Sequence, residues 1–193
     1  MMTVETMRKS LLIALLAGTA ALAATLTAAR AATVTVNATV AAGSTLSVAG
    51  TGSPAFNLTL TGDDQTTSYV LPVQIVDARG LATGGGWNVT VTSTQFGDGA
   101  GHTFPATAST ITNVTTGCAA GSTCTLPSNS VANTNLAVPA GAGPPAAVKF
   151  LNAATGTGLG RIDVNATVSV AVPANTIAAT YSSTITVAIV AGP

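Results

Sequence analysis

Charge is what this chain has least of. Charged residues make up 6% of its 193, and glutamate occurs once, at Glu5. Past residue 31 the ionic groups are Arg79, Lys149 and Arg161 against Asp63, Asp64, Asp77, Asp98 and Asp163. So few basic groups cannot neutralise a run of phosphates, which excludes a nucleic-acid partner. An anionic membrane surface is disfavoured for the same reason. Helical surfaces draw on Glu, Lys, Gln and Arg, and their scarcity argues against a helical fold. Thr, Val, Ser, Gly and Asn take their place, and these are residues of strands and turns.

Catalytic groups are just as scarce. The single histidine, His102, directly follows the glycine-rich stretch Gly97-Asp98-Gly99-Ala100-Gly101. No nucleophile elbow or acidic pair is placed to work with it, so it reads as an exposed loop residue. Asp63 and Asp64 are adjacent in a turn, whereas glycosidase chemistry needs two carboxylates across a cleft. No spaced Asp/Asn loop supports calcium. Gly156-Thr157-Gly158-Leu159-Gly160 mimics a dinucleotide fingerprint but leads into a strand pattern, with no helix N-terminus to hold phosphate. The inventory predicts no enzyme, no cofactor and no metal. Cys118 and Cys124 are the only cysteines. In an oxidising compartment they are expected to pair and close a small loop, since no His or acid stands near to complete a metal set.

What the chain does have begins with a leader. Arg8 and Lys9 precede the apolar stretch Leu11 to Ala24, and Ala29-Arg30-Ala31 offers small residues for cleavage. Residues 1–31 are therefore expected to be a signal peptide, leaving a single domain over 32–193. The apolar run is shorter than the roughly 20 residues a spanning helix needs. No second such run follows, so no membrane insertion is expected after cleavage. No lipoprotein cysteine or sorting signal is legible, so export without a covalent anchor is the expectation.

Alternation of period two dominates the rest. In 162–172, Ile162, Val164, Ala166, Val168, Val170 and Val172 share one face, and Asp163, Asn165, Thr167 and Ser169 the other. The same scheme predicts strands at 34–40, 56–60, 87–91 and 185–189. Tyr69 to Asp77 is apolar on both faces except at Pro72 and Gln74, which predicts a more central strand with an irregular start. Weaker strands are expected at 108–115, 134–138 and 146–151. About nine short strands separated by Gly and Pro predict an all-β, antiparallel sandwich or barrel-like domain. Residues 97–145 have weaker periodicity and read as a loop-rich excursion. Asn-x-Thr triplets at Asn37, Asn57, Asn88, Asn113 and Asn165 read as solvent-facing strand amides.

Three residues are candidates for binding. Trp87 is the only tryptophan and opens a strand after three glycines. It could stack on a sugar, but it shares a face with Val89 and Val91, which favours core packing. Asp77 and Arg79, two apart at a strand end, project to the same side. They could hold a polar ligand, or form a structural pair bracing the Gly80–Gly86 turn, which is the favoured reading.

Val73-Gln74-Ile75-Val76-Asp77-Ala78-Arg79-Gly80, then Gly85-Gly86-Trp87-Asn88-Val89-Thr90-Val91, then Phe96, resembles the proximal motif of the WxL cell-wall-binding domain. Tyr181-Ser182-Ser183-Thr184-Ile185-Thr186-Val187-Ala188-Ile189, running on to Pro193, is similar to that family's distal motif. Val89 stands in place of Leu, Val187 in place of Trp and Ile189 in place of Leu. The resemblance implies a secreted, β-rich domain at the bacterial cell surface, attached noncovalently through peptidoglycan, with Trp87, Val89, Tyr181, Val187 and Ile189 at motif positions. A second reading is a structural subunit of a surface layer or fibre, meeting other surface proteins by strand addition, with Thr33 to Val40 as the donor.

Overall fold

The computed structural model describes residues 35–81, 85–143 and 145–192. The expected signal peptide, Thr33 and Val34 lie outside the described residues. The chain divides into two units, Met1–Thr39 and Val40–Pro193. Every strand described belongs to the second, and no helix occurs among the described residues.

Nine strands run β1 (Leu46–Gly50), β2 (Gln65–Asp77), β3 (Trp87–Thr94), β4 (Ser109–Cys118), β5 (Leu136–Ala137), β6 (Ala140–Gly141), β7 (Val148–Ala153), β8 (Gly160–Val172) and β9 (Ile185–Ala191). One sheet has the order β1-β2-β8-β4-β5. The other is built around β3, in the order β6-β3-β7, with β9 also on β3. Pairing is antiparallel except for the short contact of β3 with β6 at Ser93↔Ala140 and Thr94↔Gly141.

The core lies between the inward faces of these sheets. The set expected to face inward on β8 does so: Ile162, Val164, Ala166, Val168, Val170 and Val172 are each at most 3% exposed. β2 is central as expected, with β1 on one side and β8 on the other. Pro72 is tolerated within it for a local reason. Its carbonyl accepts from the Thr51 N–H, 3.1 Å, just past the end of β1. Its nitrogen faces that same side, where no ladder bond is lost. In β7 the register against β3 slips between Val89 and Thr90, and Phe150 is the extra residue. That bulge lets consecutive Phe150 and Leu151 both enter the core, at 0% and 1% exposure.

Two expected strands are absent. Residues 35–40 form no strand, and Val36 and Val40 are 86% and 93% exposed. Their alternation meets no facing sheet, and without one the pattern buries nothing. Residues 56–60 form no strand either, with Phe56 alone packed on the core. In their stead β1 pairs with β2, from Leu46↔Asp77 to Gly50↔Val73.

The 97–145 stretch supplies β4, β5 and β6 with loops between them. β4 lies beside β8 along most of its length. It ends at Cys118, whose disulfide to Cys124 closes the loop, with 5.5 Å between Cα atoms. The following loop is pinned by Asn152, a buried residue of β7. Its Oδ1 accepts from the Ser130 N–H, 2.8 Å, and its own backbone N–H donates to Asn129 Oδ1, 2.9 Å.

Candidate functional site

Trp87 is fully buried. Its indole N–H donates to the Gly158 carbonyl, 3.0 Å. Gly158 has φ +71°, and a Cβ there would stand 2.6 Å from Nε1 of Trp87 and 2.5 Å from the Cβ of Ala153. The segment that mimics a dinucleotide loop is thus the turn that seats the tryptophan. With no exposed face, Trp87 has no surface on which a sugar could stack, and the core-packing alternative describes it.

Asp77 and Arg79 form an ion pair with 2.7 Å between Oδ2 and Nη2. Asp77 Oδ1 also accepts from Arg79 Nε, 2.9 Å, and from the Arg79 backbone N–H, 3.1 Å. Burial pushes the Asp77 carboxyl up, but the hydrogen bonds and charge of Arg79 outweigh it and hold the group below its usual range. Arg79 Nη2 reaches on to the Gly86 carbonyl, 2.9 Å, which also accepts from the Gly192 N–H, 3.1 Å. One guanidinium therefore joins the end of β2 to the start of β3, and the same carbonyl gathers the end of β9. The pair braces the two ends of the Gly80–Gly86 connection.

The motif strands come together. β3 and β9 pair directly, with Val89↔Ile189 and Val91↔Val187. Asn88 departs from its expected solvent-facing position: it is 6% exposed, and its Nδ2 donates to the Gly192 carbonyl, 2.6 Å. Val187 and Ile189 are half-buried on the inward face of β9, which among the described strands pairs with β3 alone. His102 is half exposed as expected, but not isolated. Its Nδ1 lies 2.6 Å from Asp98 Oδ2, and Asp98 Oδ1 accepts from the N–H groups of Ala100, 2.8 Å, and His102, 3.0 Å.

Beside β1 and β9, at the seam between the sheets, there is a groove of about 1340 Å³. One wall is Val48 to Leu60, the other Thr176 to Val187, and the inner surface includes Tyr69, Phe96 and Phe104. Aromatic rings run continuously along it. Phe56 stacks on Tyr69 at 6.0 Å between centroids, Phe96 meets Phe56 edge-on at 5.8 Å, and Phe104 lies 5.5 Å from Phe96 and 4.5 Å from Tyr181. The second wall is anchored to β3: Ser182 exchanges backbone hydrogen bonds with Gly97, 2.9 and 3.0 Å, and Ser183 Oγ donates to the Thr94 carbonyl, 2.6 Å. The first is freer. Among the described residues, the only hydrogen bond to the main chain of Ser53–Leu60 is from Gln65 Nε2 to the Thr59 carbonyl, 3.1 Å. Among the described residues, no charged side chain lines the groove.

Trp87, Asp77, Arg79, Val89 and Ile189, each named from the sequence, are brought by the structure to β3 and its neighbours, where they build the fold. Sequence reading missed the groove, although Tyr181 and Val187, named as motif positions, lie in its wall. No local signal marks it: Phe56, Tyr69, Phe96, Phe104 and Tyr181 are scattered along the chain and gather on one seam only in the fold.

These features define an all-β sandwich with a braced motif end and an open, uncharged groove. A family model described as WxL domain surface cell wall-binding matches residues 55–193. The chain belongs to the WxL family, and its place is at the cell surface, in a cell-wall-binding role. Comparison with curated proteins and with solved structures gives no significant match. No helix among the described residues is long and apolar enough to cross a membrane.

Proposed function

We propose that the protein is exported and attaches noncovalently to peptidoglycan, without turnover, holding itself to the wall through its folded surface. The observation that carries this is the family match over 55–193. It is supported by the leader-like residues 1–31 and by a described surface with few ionic groups. The polymer's glycan backbone presents hydroxyl and acetamido groups, and a wall-facing surface of Thr, Ser and Asn can exchange hydrogen bonds with them without desolvating charge. Trp87, Asp77 and Arg79 serve this role by shaping the domain, since their polar groups are already occupied within it.

The test is sedimentation. The secreted protein is mixed with purified wall sacculi, which are then pelleted. Protein in the pellet, released by soluble wall fragments, is the expected result; protein wholly in the supernatant at every pH and salt tried would end this reading.

A further inference from the structure

We propose that the groove between Val48–Leu60 and Thr176–Val187 is the glycan site, and that it takes the uncharged sugar backbone of the wall polymer rather than its charged parts. This rests on the wall-attachment reading above and gives that reading a location.

The chemistry of the groove selects the ligand. A sugar ring has an apolar C–H face and a polar rim, and it is bound where aromatic faces lie beside hydrogen-bonding groups. Phe56, Phe96 and Tyr181 are half-buried here, leaving part of each ring for such a face. Asn57, Thr59, Ser183 and Thr184 line the same walls with amide and hydroxyl groups. Apart from the Thr59 carbonyl, the main chain of Ser53–Leu60 adds amide and carbonyl groups with no protein partner among the described residues, which bond to water or to a ligand. Tyr69 supplies a second, independent sign. It is 9% exposed and lines the groove, and its hydroxyl has no hydrogen-bond partner among the described residues. The hydroxyl oxygen itself is not sealed from solvent, so water hydrates it in the free protein and a ligand hydroxyl or acetamide can take that water's place.

Charge then decides which part of the wall fits. Stem peptides carry carboxylates and amines, and anionic wall polymers carry phosphates. Among the described residues, no Asp, Glu, Lys, Arg or His lines this groove to pair with either. An N-acetylated glycan backbone asks for none. The size agrees, since 1340 Å³ exceeds the roughly 300–1,000 Å³ of a small-molecule pocket and suits a stretch of polymer.

The probe is a soluble β-1,4-linked hexamer of N-acetylglucosamine, titrated into isotope-labelled secreted protein and followed by amide NMR. Shifts should concentrate in Ser53–Leu60 and Thr180–Thr184, with affinity nearly unchanged between about 50 and 500 mM salt. Tyr69→Phe keeps the stacked ring and removes the hydroxyl; with Asn57→Ala it should weaken hexamer binding about tenfold. Ala178→Trp, at an exposed position of the second wall, should obstruct the groove. All three substitutions should leave the melting temperature close to wild type, and the double variant and the obstructed one should pellet less with sacculi. Wild-type protein that pellets while the hexamer shifts nothing in the groove, or variants that pellet as well as wild type, would overturn the groove and leave wall attachment standing. Binding that collapses with salt would assign the wall contact to charged polymer and also overturn the groove. Self-association that the groove variants abolish would identify a second copy's strand as its occupant instead. Wild-type protein that stays in the supernatant, yet shows groove shifts with the hexamer, would end wall attachment and leave the sugar site.

Discussion

The indole N–H of Trp87 donates to the carbonyl of Gly158 across 71 positions of sequence, and the same glycine leaves no room for a side chain beside that ring. The start of β3 and the turn before β8 are thereby locked to each other. The hydrogen bond and the close packing depend on both residues at once.

Replacing either should therefore be costly. Trp87→Ala removes a fully buried side chain and should cost about 3–5 kcal/mol. Trp87→Phe keeps much of the ring but orphans a buried carbonyl, a loss of about 1–3 kcal/mol. Gly158→Ala adds a Cβ 2.6 Å from the indole nitrogen at a positive φ, and should lower stability by at least about 2 kcal/mol. Thermal melts check all three, since about 2 kcal/mol is worth roughly 4–8 °C in a domain of this size. A Gly158→Ala protein that melts with wild type would refute the lock.

The Asp77–Arg79 brace should tolerate no conservative exchange. Arg79→Lys cannot donate to both carboxylate oxygens and to Gly86 from a planar fork, so it should destabilise the protein even though the charge remains. A denaturant titration should place its midpoint below wild type and closer to that of Arg79→Ala. Equal midpoints for Arg79→Lys and wild type would show that charge alone suffices.

Acid should loosen the His102 turn late. The hydrogen bond from the His102 side chain lowers the Asp98 carboxyl most; burial pushes it up, and the N–H groups of Ala100 and His102 help bring it down to about 2. Its folded value lies below the unfolded one of about 3.9, so its contribution is present above that value and fades as pH falls toward 2. Asp77, also lowered, acts in the same direction. A carboxyl-carbon NMR titration should show Asp98 still ionised at pH 3, and a midpoint near 4 would contradict the hydrogen-bonded turn.

Reducing the Cys118–Cys124 disulfide should cost about 2.4 kcal/mol by the loop-entropy relation and leave the fold intact. The bond closes a short loop beyond the end of β4, while the strand's ladder to β8 is independent of it. A melt with reductant should shift down by several degrees and remain a single transition. Loss of the transition would mean that the disulfide holds more than its loop.

Truncation tests the missing first strand. A chain beginning at Ala41 should melt with the full-length secreted protein, because residues 35–40 are exposed and contribute no strand. A marked drop would show that this segment packs somewhere after all.

Much of this could be read from the chain because a half-buried strand writes its own faces. Period-two alternation at β8 named every inward residue, and the same logic put Trp87 with Val89 and Val91 in the core. The disulfide was legible from composition, and the all-β class from the dearth of helix-forming charge. Alternation does not say whether a facing sheet exists. Residues 35–40 and 56–60 have the pattern without the partner, whereas Leu46–Gly50, with a weaker pattern, pairs with β2. Pairing is a property of what lies alongside, and only the tertiary structure settled that. It also brought β3 beside β9, aimed the Gly158 turn at Trp87, and gathered five scattered aromatics on one open seam. Those contacts join residues tens of positions apart, and local propensity carries no information about them.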